Sequence, residues 1–275
     1  MAETCYRHPD RETGVSCSSC GRPICPDCMT PTPVGMRCPE CSRQRTKVVR
    51  NPTGSPGQFS AFPATIVLIA INVVMYLVEI GAGGGGINNP SGKIVLDLAL
   101  FGPSVAEGEW YRLVTSGFLH ASFFPHLLFN MVLLYFLGRL LEPALGTPRF
   151  VVLYFASLLA GSLGVMVLDP NALTLGASGA IFGLAGATFV VARGRGMDAI
   201  AGEIGFLIVI NLILGFSLAN VSVAGHVGGL VGGVICGILI VAGERGRLGP
   251  NRLPLELGAM IAVGAISFLA ALAIA

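Results

Sequence analysis

The sequence predicts an all-α polytopic membrane protein preceded by a small cysteine-rich domain. Three observations carry this prediction. The 275 residues are 53% hydrophobic and only 12% charged, where a soluble domain carries roughly 25% charged residues. Mean hydropathy is +0.76, and the apolar surplus begins at Phe62 and comes in runs of bilayer-crossing length. Seven of the eight cysteines fall in the polar first 61 residues. The chain therefore divides into a head over 1–45, a linker over 46–61 with Pro52, Gly54, Pro56 and Gly57, and a membrane domain over 62–275. Residues 1–30 contain no apolar signal-peptide core, so the first membrane segment is expected to act as its own insertion signal.

Seven spans are predicted, over roughly 63–81, 122–141, 149–168, 177–193, 202–219, 225–242 and 255–274. The breaks between them are polar or rich in Gly and Pro, as in Asp169-Pro170-Asn171 and Glu244-Arg245-Gly246-Arg247. Lys and Arg concentrate on the cytoplasmic side of membrane proteins. With the head inside, 15 of the 17 basic residues lie inside, and only Lys93 and Arg112, in the long first loop, lie outside. Spans two, four and six then all run inward from the outer face. His126 and Asn130 begin span two, Ser178 begins span four and His226 begins span six. Parity alone brings these four side chains to similar depth, near the outer face.

A serine hydroxyl is a weak nucleophile until an adjacent base takes its proton. An ionisable histidine in a membrane span points to function. Ser178 is flanked by Gly176 and Gly179, and His226 opens a helix whose Gly225, Gly229, Gly233 and Gly237 make one smooth face. That face allows a close helix approach, which would set His226 beside Ser178. Taken alone, Gly-Ala-Ser-Gly reads equally as a small-residue packing surface. His126 and Asn130, four residues apart, share one helix face and can donate to an oxyanion. Taken alone, they read as a polar pair bridging helices.

The residues Trp110-Tyr111-Arg112, His120, His126 with Asn130, Glu142 with Gly146, Gly176-Ala177-Ser178-Gly179 and Gly225-His226 follow one another in an order that resembles the rhomboid intramembrane serine proteases. The resemblance covers about residues 60–245. It implies a six-helix core with a seventh helix added, and a Ser178/His226 dyad without an aspartate. It also implies an oxyanion site from His126, Asn130 and the Ser178 backbone amide, and an aromatic, Phe182, packed on the catalytic histidine. One departure stands out: five residues separate His120 from His126, one more than the family pattern, with Pro125 among them. Glu142 and Arg112 also have plain structural readings, as a loop cap and an interface anchor.

In the head the doublets are Cys5-x2-His8, Cys17-x2-Cys20, Cys25-x2-Cys28 and Cys38-x2-Cys41. Eight ligands suffice for two tetrahedral, closed, structural zinc sites. Disulfides are disfavoured for a cytoplasmic domain. The head resembles a B-box-type zinc finger, which implies cross-bracing: Cys5, His8, Cys25 and Cys28 on one ion, Cys17, Cys20, Cys38 and Cys41 on the other. Sequential pairing is the alternative. No cofactor is expected for catalysis.

The function expected is cleavage of the transmembrane segments of other membrane proteins, near the outer face of the cell membrane, with lipid as surroundings. A cytoplasmic partner of the head is expected and is not identified by the sequence; no nucleic-acid partner is predicted. A non-catalytic membrane-protein scaffold of the same fold is the alternative. A transporter or channel is less favoured, because the spans show no obvious charged residues.

Overall fold

The computed structural model describes residues 3–32, 35–43, 62–82, 86–87, 92–217, 221–247 and 252–275. The predicted linker 46–61 lies outside them. The chain divides into two compact units, Met1–Ser55 and Pro56–Ala275.

In the first unit, β1 (Glu3–Cys5) pairs antiparallel with β2 (His8–Thr13), and β3 (Thr30–Thr32) pairs with β4 (Gly35–Arg37) before the short α1 (Pro39–Arg43). Its buried centre consists of Cys5, Cys17, Cys25, Cys28, Cys38 and Cys41 around one aliphatic side chain, Ile24. So little apolar burial cannot offset the ordering of the chain.

The second unit is helical. α2 (Pro63–Ala82) is followed by three short helices in the first loop, α3 (Lys93–Leu98), α4 (Gly102–Ala106) and α5 (Arg112–Thr115). Then come α6 (Leu128–Leu145), α7 (Thr147–Leu168), α8 (Ser178–Gly194), α9 (Asp198–Ser217), α10 (Val223–Glu244) and α11 (Arg252–Ala273). Among the described residues six helices are long and apolar enough to cross a membrane, while Ser178–Gly194 is shorter. Its 17 residues, at a rise of about 1.5 Å each, reach about 25 Å, less than a hydrocarbon core of about 30 Å. α8 is also the inner helix, with residues 180–188 buried without interruption. Outward side chains such as Val67, Leu77, Phe136, Phe206 and Ile266 are apolar and exposed, as a lipid solvent requires. This is a multi-pass membrane protein.

Glycine sets the closeness of the central helices. A Cβ on Gly229 would collide with the carbonyl of Gly179, and one on Gly233 with the carbonyl of Gly183, so α10 lies backbone to backbone on α8. Gly228 does the same against the Ala160 carbonyl of α7. Since backbone cannot swing aside as a side chain can, Gly233→Ala is expected to cost about 1–3 kcal/mol by overpacking. Thermal unfolding in detergent should show a lowered midpoint; an unchanged one would mean the helices slide apart freely.

Polar side chains pin the ends of helices. The Glu142 carboxylate, on α6, accepts from the N–H groups of Ala64 at 2.9 Å and Thr65 at 2.8 Å and from the hydroxyls of Thr65 and Thr147. It caps the start of α2, where unpaired N–H groups and the helix dipole favour an anion. Arg112 is buried and donates to Leu96 O, Ala99 O and the Glu109 carboxylate. It clamps the first loop rather than anchoring at the interface. The described part of the loop before the second span, from Lys93 on, is thus a built structure.

The expectation that the spans hold no obvious charged residues is corrected by Glu79. It lies in α2, is buried, and accepts from the backbone N–H of His120 at 3.2 Å. Another buried carboxylate, Glu256 at the start of α11, pairs with Arg149 of α7 at 2.5 Å. That pair ties the seventh helix to the core.

Candidate active site and metal centres

Ser178 is the first residue of α8. The segment before it, 169–177, is held by backbone bonds to the first loop: Leu100 and Thr174 exchange two at 2.8 Å, and Gly176 N–H donates to Ser116 O at 2.9 Å. Gly176 has φ +129°, a conformation that L side chains rarely adopt. A Cβ there would lie 2.6 Å from His126 Nε2. The glycine therefore admits the imidazole beside Ser178.

His226 lies in the first turn of α10. The Ser222 hydroxyl caps that turn by accepting from Gly225 N–H at 3.2 Å. His226 Nε2 and Ser178 Oγ are 2.7 Å apart. Phe182, one turn along α8, stacks on the His226 ring with centroids 4.3 Å apart and planes at 17°. His226 Nδ1 is buried without a partner among the described residues. Gly179 sits at the crossing with α10, where a Cβ would meet the Gly225 carbonyl at 3.2 Å.

His126 enters on a π-type turn, Phe123–Leu127, that leads into α6. Leu127 N–H donates to Ser122 O, five residues back, at 3.0 Å. This turn is wider than an α-helical one. His126 Nδ1 accepts from Ala121 N–H at 3.2 Å, which leaves Nε2 to carry the ring proton. Asn130 follows one turn on; it is buried and its Nδ2 lacks a partner among the described residues. His120 is fully buried with its ring 5.0 Å from that of His126, packed behind the site rather than lining it.

A cavity of about 550 Å³ joins these groups, lined by His126, Asn130, Ser178 and His226 and, from α9, by Asn211 and Leu214. The arrangement puts a serine hydroxyl in contact with an imidazole nitrogen, with a cluster of hydrogen-bond donors close by. These donors include the N–H groups that open α8, which have no intrahelical acceptors.

Residues 107–243 match the Rhomboid domain. YdcA, a rhomboid of Bacillus subtilis, is 31% identical over 195 residues, covering 68% of this chain and 92% of the relative. The chain belongs to the rhomboid family. Rhomboid protease GluP of Bacillus subtilis is 36% identical over 208 residues, or 73% of this chain but only 39% of the relative. RHOMBOID-like protein 5 of Arabidopsis thaliana is 36% identical over 160 residues, covering 54% of this chain and 50% of that protein. The match to the Rhomboid domain begins after the cysteine-rich head.

In the head of this rhomboid, the donor atoms of Cys5, His8, Cys25 and Cys28 lie within 4.8 Å of one another, as do those of Cys17, Cys20, Cys38 and Cys41. These sets can each hold a metal ion. The spacing fits a tetrahedral thiolate site: metal–sulfur bonds of about 2.3 Å put sulfurs about 3.8 Å apart, and Cys20 Sγ and Cys38 Sγ are 3.8 Å apart. His8 Nδ1 lies 3.3, 3.5 and 3.9 Å from the sulfurs of Cys25, Cys28 and Cys5. The N–H of Cys38 donates to Cys17 Sγ at 3.3 Å and holds that thiol below its ordinary range. Arg22 donates to the sulfurs of Cys20 and Cys38. Cys236, on α10, is buried and belongs to neither set.

Glu79, Asn211 and the buried Ser116 were not picked out by sequence reasoning. The signal for the first two was available: a lone polar residue inside an apolar span.

Proposed function

We propose that this rhomboid is an intramembrane serine endopeptidase that cuts transmembrane segments of other membrane proteins with Ser178 as nucleophile and His226 as general base. The observation that carries this is the 2.7 Å contact of Ser178 Oγ with His226 Nε2 beneath the stacked Phe182 ring. Nε2 accepts the serine proton as Oγ attacks the scissile carbonyl, so Nδ1 carries the ring proton. In place of the carboxylate that orients the histidine in other serine proteases, the Phe182 stack fixes the ring. The oxyanion is held by His126 Nε2–H, Asn130 Nδ2 and the Ser178 backbone N–H. His226 then returns the proton to the leaving amine, and water removes the acyl group with the same base. A non-catalytic scaffold would have no need of this alignment.

The substrate reaches the cavity from the lipid. α9 is the least held helix, 11% buried along its span against 50% for α10 and 56% for α7. A shallow groove of about 20 Å³ where α6 and α9 meet over α8, lined by Leu133, Leu137, Ala185, Leu207 and Ile208, adjoins the cavity. A substrate strand must be locally unwound to present its carbonyl, so substrates should carry helix-weakening residues there.

The head is proposed to be a B-box-like finger holding two structural zinc ions in the cross-braced pairing. It lies in the cytoplasm with an undetermined partner there, and the active site lies near the outer face. The distribution of basic residues supports this orientation.

The test is hydrolysis of single-span substrates by purified protein in liposomes. With three donors sharing the oxyanion, His126→Ala and Asn130→Ala should each lower kcat without eliminating it, by less than the 10²–10³ lost where a donor is unique. Wild-type rates in both variants would remove these side chains from the site.

A further inference from the structure

Four residues, Leu133, Ile181, Phe182 and Asn211, line both the catalytic cavity and the groove between α6 and α9. Asn211 is the polar one. Its Nδ2 donates to Leu207 O, one turn back on α9, at 2.8 Å, and its amide oxygen has no partner among the described residues. The side chain is half-buried, so it is neither core nor lipid-facing surface. The rest of the groove, from Leu137 through Ala185 to Ile208, is apolar. The internal bond to Leu207 uses one of the two amide N–H groups and leaves the oxygen able to accept.

Resting on the protease reading, we propose that Asn211 is a specificity-determining residue: its amide oxygen receives a backbone N–H of the unwound substrate strand as it crosses from lipid into the cavity. A strand that leaves its helix in an apolar groove exposes N–H groups with no acceptor, at a cost of several kcal/mol each. A fixed acceptor at the mouth lowers that cost for one of them. The benefit goes only to segments that already unwind there, because an intact helix has no free N–H to offer. Asn211 thus favours helix-weakened segments over uniformly apolar ones without touching the reacting atoms.

The experiment uses the full chain in liposomes as wild type, Asn211→Leu and Asn211→Gln. The substrates are two single-span proteins, one carrying Gly residues beside the scissile bond and the other Leu at the same places. A small fluorophosphonate, which needs only Ser178 and His226, reports the integrity of the site. Asn211→Leu should raise KM for the Gly substrate about tenfold, the factor that one neutral hydrogen bond supplies, and should narrow the preference for Gly over Leu. Labelling of Ser178 should fall far less than cleavage. Asn211→Gln, which keeps the acceptor, should recover most of the preference. Labelling that falls in step with cleavage would make Asn211 a folding residue and overturn the inference, as would an unchanged Gly-to-Leu preference in Asn211→Leu. A wild type that cleaves neither substrate would overturn the protease reading, and this one with it.

Discussion

Replacing Ser178 with alanine is expected to abolish cleavage while leaving the protein folded. Ser178 meets His226 through its hydroxyl at 2.7 Å, and the helix it opens is held by Ala180–Thr188 in the core and by glycine contacts with α10. Removing one oxygen leaves that packing intact. His226→Ala should be equally inactive, since without a base the hydroxyl stays protonated. A nucleophile and its base act as a unit, so the double variant should be no worse than either single one, with losses of roughly 10⁴–10⁶ in kcat. Fluorophosphonate labelling gives an independent reading: it should mark Ser178 in the wild type, vanish in Ser178→Ala, and require His226. Substantial turnover by Ser178→Ala, or labelling of another serine in an active sample, would sink the dyad.

Much of this architecture is legible in the sequence for a simple reason. Apolar runs of span length are a strong signal, and the parity of the spans brings Ser178, His226, His126 and Asn130 to one depth before any geometry is known. The spacing of Gly225, Gly229, Gly233 and Gly237 predicts a close helix contact, and Gly229 and Gly233 lie against the Gly179 and Gly183 carbonyls of α8. Features that depend on partners distant in sequence were not legible. Glu142 reads as a loop residue until Ala64 and Thr65 are found at its carboxylate, 78 and 77 positions away. Glu79 likewise acquires a role only beside His120, 41 positions away. The π-type turn at Phe123–Leu127 and the approach of His126 to Gly176 are likewise visible only in the structure. The metal-ligand doublets stand out by spacing, whereas their pairing depends on how β1, β2 and the Pro26–Cys28 turn fold together. The geometry groups Cys5 and His8 with Cys25 and Cys28.

Removing metal is expected to unfold the head and leave the catalytic geometry of the membrane unit unchanged. Metal analysis of the purified protein should find two zinc ions per chain. Cys17→Ser or Cys38→Ser should release metal from the second set. The head has little else to hold it: among the described residues Ile24 is its one buried aliphatic side chain, and the remaining buried centre is thiols. Zinc binding to such peptides supplies about 10–16 kcal/mol, and without it burial pushes thiols such as Cys28 up, toward the protonated form. The membrane unit has a separate core, built from residues such as Leu134, Leu153, Leu184 and Ile240, and is a compact unit of its own. Zinc should therefore govern recruitment or regulation and not bond breaking. A shortened chain beginning near Phe59, assayed on the same single-span substrate beside the full-length protein, should retain turnover and fluorophosphonate labelling. Loss of both in a folded, detergent-purified sample, by truncation or by chelation, would make the head part of the catalytic machine.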